Sequence, residues 1–241
     1  MRIWISMPMF KKMKQKMKLL PKKMKKSDAF SDLVFDGRWV RLLNLLGTAK
    51  YQMYLKSECG KFHFHYFNYL SMIHLACMVK APVSVIIAMV ALFPSSVIMA
   101  DKNHRLPLHI ACKYGAEIEV IKFLIEKNPS SLVLQDCDGK IPLHLACEYK
   151  NMNPRESEKY FKALIKANPN SLAIMDSNGL SVLEYAQKKN LDIYTVQLIE
   201  WESQKLLNNK TLSVIEEESY CSELSSSLIL AMSSTGTERY H

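Results

Sequence analysis

LPLHIAC, at residues 106–112, recurs in this chain as IPLHLAC at residues 141–147. A looser copy, SMIHLAC, occupies residues 71–77. The three histidines of these copies lie 35 residues apart, and the three cysteines keep the same interval. An interval of this size, held twice in succession, indicates a stack of structural repeats in which each unit buries its apolar face against the next.

The residues around each copy predict a pair of helices. Pro107 suits the first position of a helix, where a missing N–H costs nothing, and Gly115 suits a left-handed residue that ends a helix. Apolar side chains at residues 120–125 follow helical spacing, and Asn128-Pro129 ends that second helix. Each repeat therefore contains a short first helix and an apolar second helix.

The segment after the second helix predicts a turn. Residues 131–134, SLVL, are expected to run extended into the turn sequence DCDG at residues 136–139, and DSNG at residues 176–179 repeats that pattern. The first turn, at residues 101–105, lacks glycine. The expected unit is a helix, a turn, a second helix and a hairpin-like turn.

These features resemble the ankyrin repeat, whose signature is T-P-L-H-x-A with a period of about 33 residues. LPLHIA and IPLHLA match it except at the first position, and the resemblance extends over residues 71 to about 201. It implies an all-α fold, an ankyrin-repeat α-solenoid of helix-turn-helix units with short hairpin-like turns and an N-terminal helical cap.

Composition and resemblance together divide the chain. A basic Lys/Met-rich tail at residues 1–26 is expected to be disordered, and residues 27–70 are expected to form the helical cap, with one helix from Asp36 to Leu46. A Ser/Glu-rich tail at residues 204–241 is expected to be mostly disordered. The repeats lie between them at residues 71–203, divided into 71–105, 106–140, 141–180 and 181–203.

Several residues depart from the family pattern. The signature threonine is replaced in all four copies, by Ser71, Leu106, Ile141 and Ser181. The middle two histidines therefore lack a hydroxyl partner and are expected to bind backbone groups. The third repeat is five residues longer, and the extra residues near 151–155 are expected to bulge as a loop. Glu184 and Gln187 replace histidine and cysteine in the fourth copy, which is typical of a polar capping repeat.

The net charge of +9 is concentrated at one end of the chain. Residues 1–26 carry Arg2, nine lysines and no acid, so the remaining residues sum to −1. Attraction to polyanions therefore belongs to the tail alone. Apolar residues from Phe10 to Leu20 follow helical spacing, so the tail could serve as a nuclear-import signal, an anchor on anionic lipid or a calmodulin-like target, or be a solvated extension without a specific role.

Location signals favour the inside of the cell. Residues 81–100 are twenty residues without a charge, but Pro94 breaks this run, so we expect a buried repeat helix and no transmembrane span. The N-terminus is a poor secretory signal, because its apolar run is short and no cleavage pattern follows. Three of six cysteines share one repeat position, which favours a reducing compartment and an intracellular location, cytoplasmic or nuclear.

Metal and enzyme chemistry are disfavoured. The H-x-x-C pairs suggest zinc, but stacked helices lie about 8–10 Å apart and zinc needs donors within about 2.3 Å, so we interpret the pairs as core residues. FHFHYF at residues 62–67 offers two histidines with no third ligand nearby. The sequence contains no recognisable phosphate loop, carboxylate pair or nucleophile set, so we expect neither enzymatic activity nor a cofactor.

The resemblance implies a non-catalytic protein–protein interaction module, a scaffold or adaptor, which binds a protein partner on its concave face as a monomer. An alternative is a nucleus- or membrane-surface-directed adaptor whose basic tail binds polyanions. Carried over by position, the partner-binding candidates in the turns are Lys102, Asn103, Arg105, Asp138, Lys140, Ser177 and Asn178. The corresponding positions on the first helices, which we expect to be exposed, are Met78, Lys113, Tyr114, Glu148 and Tyr149.

Overall fold

A computed structural model describes residues 33–34, 36–49, 52, 71–149 and 152–209 of the chain. Its regular secondary structure is helical, and no β-strand occurs in these residues. Short 3₁₀ turns at Pro94–Ile98, Pro129–Leu132 and Pro169–Ala173 follow the second helices of three repeats. The helices are α1 (Trp39–Leu46), α2 (Met72–Met78), α3 (Val83–Leu92), α4 (Pro107–Tyr114), α5 (Ile118–Lys127), α6 (Pro142–Cys147), α7 (Pro154–Ala167), α8 (Val182–Lys188) and α9, described over residues 193–209.

The helices form two layers. The first helices of successive repeats, α2, α4, α6 and α8, pack side by side as an inner layer. The second helices α3, α5 and α7 pack on one another as an outer layer, and α9 adds the buried Ile199 to the core. The apolar core lies between the layers and runs through all four repeats. The predicted all-α repeat solenoid is therefore confirmed.

Small residues line the contacts between inner helices. The alanines and cysteines of the first three copies are at most 1% exposed. Burial raises the pKa of the Cys112 thiol to about 12, and it also raises the pKa of Cys77 and Cys147. These cysteines therefore stay protonated and act as small apolar side chains, which is the role that their spacing predicts.

The three repeat histidines join the start of each inner helix to the last segment of the same repeat. His109 Nδ1 accepts a 3.1 Å hydrogen bond from the Leu106 N–H at the start of its own helix, and its Nε2 donates to the Leu134 carbonyl at 2.9 Å. His144 does the same with the Ile141 N–H and the Leu180 carbonyl. The expectation that the middle histidines bind backbone groups is confirmed.

His74 keeps a hydroxyl partner, because the Ser71 Oγ lies 2.7 Å from its Nδ1. Its Nε2 donates to the Arg105 carbonyl at 2.9 Å, in the turn that leads to the next repeat. A carbonyl can only accept, so Nε2 carries the proton, and Nδ1 is left unprotonated to accept from the backbone. Burial, the largest effect, lowers the pKa of all three histidines and favours this neutral form.

Left-handed residues end the inner helices and shape the turns. Gly115 follows α4 with φ +62°, as its position predicts. Lys80 and Asn190 hold the equivalent position in other repeats and also have positive φ. In the glycine-free first turn His104 adopts φ +59°, the conformation that Gly139 supplies in the second turn. The backbone geometry of the repeat is thus kept where glycine is absent.

The segment after each outer helix differs from its prediction. Pro129–Leu132 forms a 3₁₀ turn. The expectation of an extended chain at residues 131–134 is therefore wrong for residues 131 and 132. Pro129 presets a helical φ, and the Ser131 Oγ donates to the Asn128 carbonyl at 2.5 Å, which holds the turn closed. Pro169–Ala173 repeats this arrangement through Ser171.

The five extra residues of the third repeat lengthen a helix. The outer helix α7 has 14 residues, whereas α5 has 10, so most of the insertion becomes an additional helical turn and the predicted loop bulge is wrong. Pro154 occupies its first turn, and the Asn153 side chain accepts from the Glu156 N–H at 2.9 Å. An N-cap, a proline and a good helix sequence together extend the helix toward its N-terminus.

The fourth repeat ends the stack with polar side chains. Glu184 and Gln187 are exposed, whereas the histidines and cysteines at their positions in the first three repeats are buried. Glu184 instead closes a capping box on Ser181, whose N–H and Oγ both donate to its carboxylate. No further repeat follows within the described residues to cover this end, so a soluble polar surface replaces the packing contacts.

At the other end α1 packs against α3 of the first repeat. It begins at Trp39, three residues after the predicted Asp36, because Asp36 and Gly37 form a turn. The predictions for residues 1–26, for most of the cap between residues 50 and 70, for FHFHYF at 62–67 and for residues 210–241 lie outside the described residues. In the described part of the chain, no helix is sufficiently long and apolar to cross a bilayer.

Candidate protein-binding face

Three turns, at residues 101–105, 136–140 and 176–180, are each built on one aspartate. Its Oδ1 accepts hydrogen bonds of 2.8–2.9 Å from the N–H groups two and four residues later. Burial alone would raise the pKa of Asp136 and Asp176, but these bonds, with Arg105 at Asp136, hold both pKa values below the usual range. The ionised Asp136 and Asp176 thus hold the backbone of the second and third turn tips, and Asp101 makes the same two hydrogen bonds in the first turn.

The turns also bond to one another. The Cys137 N–H donates to the Asn103 carbonyl at 2.9 Å, and the Ser177 N–H donates to the Asp138 carbonyl at 3.0 Å. Gly139 has φ +74°, and a Cβ at this position would lie 2.5 Å from the Ser177 nitrogen. Glycine is therefore required both by the conformation and by the close approach of the next turn. The tips of successive turns form one continuous edge.

Arg105 connects the first two turns. Its Nε lies 2.9 Å from Asp136 Oδ2, and its Nη2 lies 3.5 Å from Asp138 Oδ2. The side chain of Arg105 is only 14% exposed and that of Asp136 is fully buried, so this ion pair is largely screened from water. Arg105, which the sequence predicts as a partner contact, already serves a contact within the chain.

A cluster of charges lies on the inner helices beside these turns. Glu148 is shared by two lysines, with Lys140 Nζ at 2.7 Å and Lys113 Nζ at 3.9 Å from its carboxylate. Burial lowers the pKa of Lys113, and the positive charges of Arg105 and Lys140 lower it further, against the opposing effect of Glu148. Lys113 is thus a cation with an incomplete partner, and its side chain is 30% exposed.

The two predicted tyrosines have different surroundings. Tyr114 is half-buried, and burial raises its pKa, with smaller influences from Arg105 and Asp101 that place it beside the first turn. Tyr149 packs so closely on Gly115 that a Cβ there would lie 2.3 Å from its ring, and its hydroxyl accepts a hydrogen bond from Lys80. Tyr149 therefore joins the first repeat to the third.

The structure connects five of the predicted residues, with both lysines at Glu148, Arg105 near Lys113 and Tyr114 near Arg105, and we call them the central cluster: Arg105, Lys113, Tyr114, Lys140 and Glu148. The predicted turn residues are exposed, except for the half-buried Asn103 among them: Lys102, Asn103, Asp138, Ser177 and Asn178. Met78 is only 5% exposed, so the expectation that it lies on the surface is wrong. It shares a repeat position with Lys113 and Glu148, but its apolar side chain packs into the core.

Two residues of this surface were missed by sequence reasoning. His104 is exposed at the tip of the first turn, and the alignment of DKNHR with DCDGK could have placed it there. Lys80 reaches the hydroxyl of Tyr149 across Gly115. The sequence signal for this contact is that Lys80 stands at the repeat position that glycine occupies in the next copy. Its role depends on that glycine, since any side chain at residue 115 would separate the two groups.

The repeat histidines use both ring nitrogens on backbone groups, so they are committed to the fold. Within the described ranges, no group of three His, Cys, Asp or Glu side chains comes together as metal ligands. What the surface offers is rigid turn tips, a partly screened charge cluster and an exposed edge of Tyr114.

A helical solenoid of stacked two-helix repeats with paired turns defines a class of repeat proteins that expose one long face. The sequence matches the family described as "Ankyrin repeats (3 copies)" over residues 47–171, slightly more than half of the chain. The chain belongs to the ankyrin-repeat family, whose members are generally protein–protein interaction modules and typically non-catalytic scaffolds. A comparison with curated proteins finds no match.

Proposed function

We propose that this chain is a scaffold or adaptor that binds a protein partner on its inner-helix face, formed by the turn tips at residues 101–105, 136–140 and 176–180 and the exposed parts of α4, α6 and α8. In the family resemblance this is the concave face. The observation that carries the proposal is a contrast between positions. Core positions repeat histidine, alanine and cysteine, whereas the position after the cysteine changes from the partly exposed Lys113 to the partly exposed Glu148, and the equivalent residue of the fourth repeat is the exposed Lys188.

The central cluster indicates the chemistry of the partner. Lys113 has its positive charge opposed by two neighbouring cations and only loosely matched by Glu148. A carboxylate from a partner would restore the balance and favour the charged form of this lysine. Tyr114 follows it in the chain and is only partly buried, and tyrosine often dominates binding energy when a partner covers it. The proposed partner therefore presents an acidic side chain next to an apolar group.

Affinity enrichment with matched surface variants tests the proposal. The face variant combines Lys102→Glu with Tyr114→Ala, and the control combines Lys122→Glu with Ile87→Ala on the exposed outer helices. Both variants change the charge equally and remove one large side chain. We expect a protein enriched by the unmodified chain to be retained by the control and lost, by about tenfold or more, with the face variant. Equal retention by both variants would refute the proposal.

The basic segment at residues 1–26 supports a second candidate function, binding to polyanions, because its ten positive charges face no acid within it. Binding to anionic vesicles or nucleic acid should then weaken steeply with salt and disappear when residues 1–26 are deleted. Salt-sensitive binding that survives the deletion would exclude this role for the segment.

We place either function inside the cell, in the cytoplasm or nucleus. The support for this is that Cys77, Cys112, Cys137 and Cys147 are free thiols, three of them buried in the core. Such cysteines are maintained by a reducing compartment.

A further inference from the structure

The last helix carries an exposed apolar patch that the repeat architecture does not require. Ile193, Tyr194 and Trp201 of α9 are 65%, 66% and 58% exposed. Tyr194 and Trp201 are seven residues apart, so they lie on the same face of the helix about two turns apart. We call these three residues the aromatic patch.

Repeat register shows that the patch is unusual. The positions of Tyr194 and Trp201 correspond to Glu119 and Glu126 in the second repeat, and both glutamates are exposed. In the third repeat the same positions are the exposed Lys159 and Lys166. Charged side chains suit an outer surface that faces water, whereas two aromatic rings there expose apolar area without a packing reason. The fourth repeat has therefore replaced charge by a surface suited to a contact.

The surroundings of the patch resemble the rim of an interface. Gln197 and Gln204 are exposed on the same side of α9. Lys205 Nζ lies 4.9 Å from the centre of the Trp201 ring, and it also approaches Glu202 at 3.8 Å. An aromatic centre with polar neighbours is the usual arrangement of a small binding surface.

We propose that the aromatic patch is a docking surface for the chain's own residues 228–232, Leu-Ile-Leu-Ala-Met. This segment is strongly apolar and lies in a Ser/Glu-rich stretch. Residues 228–232 come after α9 in the same chain, so the covalent connection to α9 keeps this segment near the aromatic patch. Tethering of this kind supplies an effective concentration in the millimolar range, which makes even a five-residue apolar contact sufficient.

The length of chain permits this contact and disfavours the nearer apolar residues. Along a helix with a rise of about 1.5 Å per residue, Trp201 and Tyr194 lie roughly 12 and 23 Å before residue 209. Leu228 is 19 residues beyond residue 209, a reach of roughly 65 Å when extended, so it can return to both rings. Ile215 is six residues beyond, a reach of roughly 20 Å, so it could return to Trp201 but falls short of Tyr194 and cannot cover both rings.

Other occupants are less well supported. The N-terminal segment precedes α1 in the chain, and α1 packs on the first repeat, at the other end of the stack from α9. A second copy of the chain would gain no tethering, so a contact this small would need far higher protein concentration. The tail of the same chain combines proximity with apolar character.

The proposal is tested by the solvent exposure of Trp201 in the full chain. The three tryptophans are replaced by 5-fluorotryptophan, and the ¹⁹F resonance of Trp201 is assigned with Trp201→Phe. The change of its chemical shift between H₂O and D₂O then measures contact with water. One variant combines Leu228→Ser, Ile229→Ser and Leu230→Ser, and the matched control combines Leu212→Ser, Val214→Ser and Ile215→Ser.

We expect the solvent isotope shift of Trp201 to increase about twofold or more in the 228–230 variant, to stay unchanged in the control, and to be independent of protein concentration. An equal solvent isotope shift of Trp201 in the unmodified chain and in the 228–230 variant would overturn the proposal. So would an increase on dilution of the unmodified chain, which would assign the patch to a second copy. None of these outcomes depends on the inner-helix face.

Discussion

At the scale of single residues, the imidazole rings of His74, His109 and His144 hold the first and last segments of each repeat together. Each ring is fully buried and bridges the start of its own helix to a carbonyl of the segment that follows. A histidine is well suited to this, because one neutral ring both accepts and donates a hydrogen bond. Removing it leaves a backbone N–H and a partly buried carbonyl without their partner, which is costlier than the loss of an exposed contact.

His109→Ala should lower the free energy of unfolding by about 2–4 kcal/mol, because it opens a cavity and leaves two backbone groups unpaired. Tyr114→Ala, on the half-exposed face, should cost about 1 kcal/mol or less. Urea denaturation of both variants measures the difference. A larger loss for Tyr114→Ala would contradict the assignment of buried and exposed faces.

Stability should fall as the solution becomes acidic. Burial lowers the pKa of His109 to about 4, while the unfolded chain titrates near pH 6.5. Between these values the unfolded state binds more protons, so the contribution of His109 is complete above about pH 6.5 and is lost as the pH falls toward 4. The full contribution is about 3 kcal/mol by linkage.

The urea midpoint measured from pH 7 to pH 4.5 checks this expectation. The lowered pKa values of Asp136, Asp176 and Glu184 act mainly below this range, so the slope reports the histidines. His109→Leu should show a smaller slope than the unmodified chain. A midpoint that does not change over this range would show that the rings are not held neutral.

At the scale of the elements, some turns and helices can be predicted from the sequence and others cannot. Features that repeat, such as the histidine bonds and the end of α4 at Gly115, were predicted because one copy explains the others. The extra turn of α7 was not predicted, because the sequence Asn153-Pro154 is compatible both with a loop and with the start of a helix. Side-chain partnerships such as Arg105 with Asp136 depend on the distance between neighbouring repeats, which no single repeat reveals.

The predicted binding residues illustrate the same limit. Position alone placed Lys113, Tyr114 and Glu148 on one surface, and the structure brings them together. Position also placed Met78 there, but an apolar side chain gains more by packing inward than by following its charged equivalents. Tyr149 was assigned to the same surface, and its bond to Lys80 required knowledge of a contact across three repeats.

Two glycines at the same turn position test the bonding between turns. Gly139 and Gly179 both have φ +74°, but a Cβ at Gly139 would meet the Ser177 nitrogen at 2.5 Å, and nothing lies within 4 Å of one at Gly179. Gly179→Ala should therefore cost only the backbone strain, about 1–2 kcal/mol. Gly139→Ala should cost clearly more, because the next turn must move.

Thermal or urea unfolding measures the loss of stability in each glycine variant. Because both glycines have the same φ, the cost of backbone strain cancels when the two losses are compared. Equal losses would mean that the turns at residues 136–140 and 176–180 are not in contact as described.

At the scale of the whole molecule, one stack of repeats presents surfaces of different composition. The core repeats the same small and hydrogen-bonded residues, and the inner-helix face varies over that constant frame. The far end is closed by the polar Glu184 and Gln187, while the outer side of α9 carries the aromatic patch. Because the frame is rigid at the turns, a partner can be recognised by side chains whose positions are set before it binds.

Hydrogen–deuterium exchange of the full chain, with and without a partner obtained by affinity enrichment, tests the central claim most directly, since it locates the bound surface. We predict slower exchange in peptides covering residues 101–105 and 136–140 when the partner is bound, with α5 on the outer layer unchanged. Slower exchange confined to α5 and α7, with unchanged turns, would contradict binding through the inner-helix face.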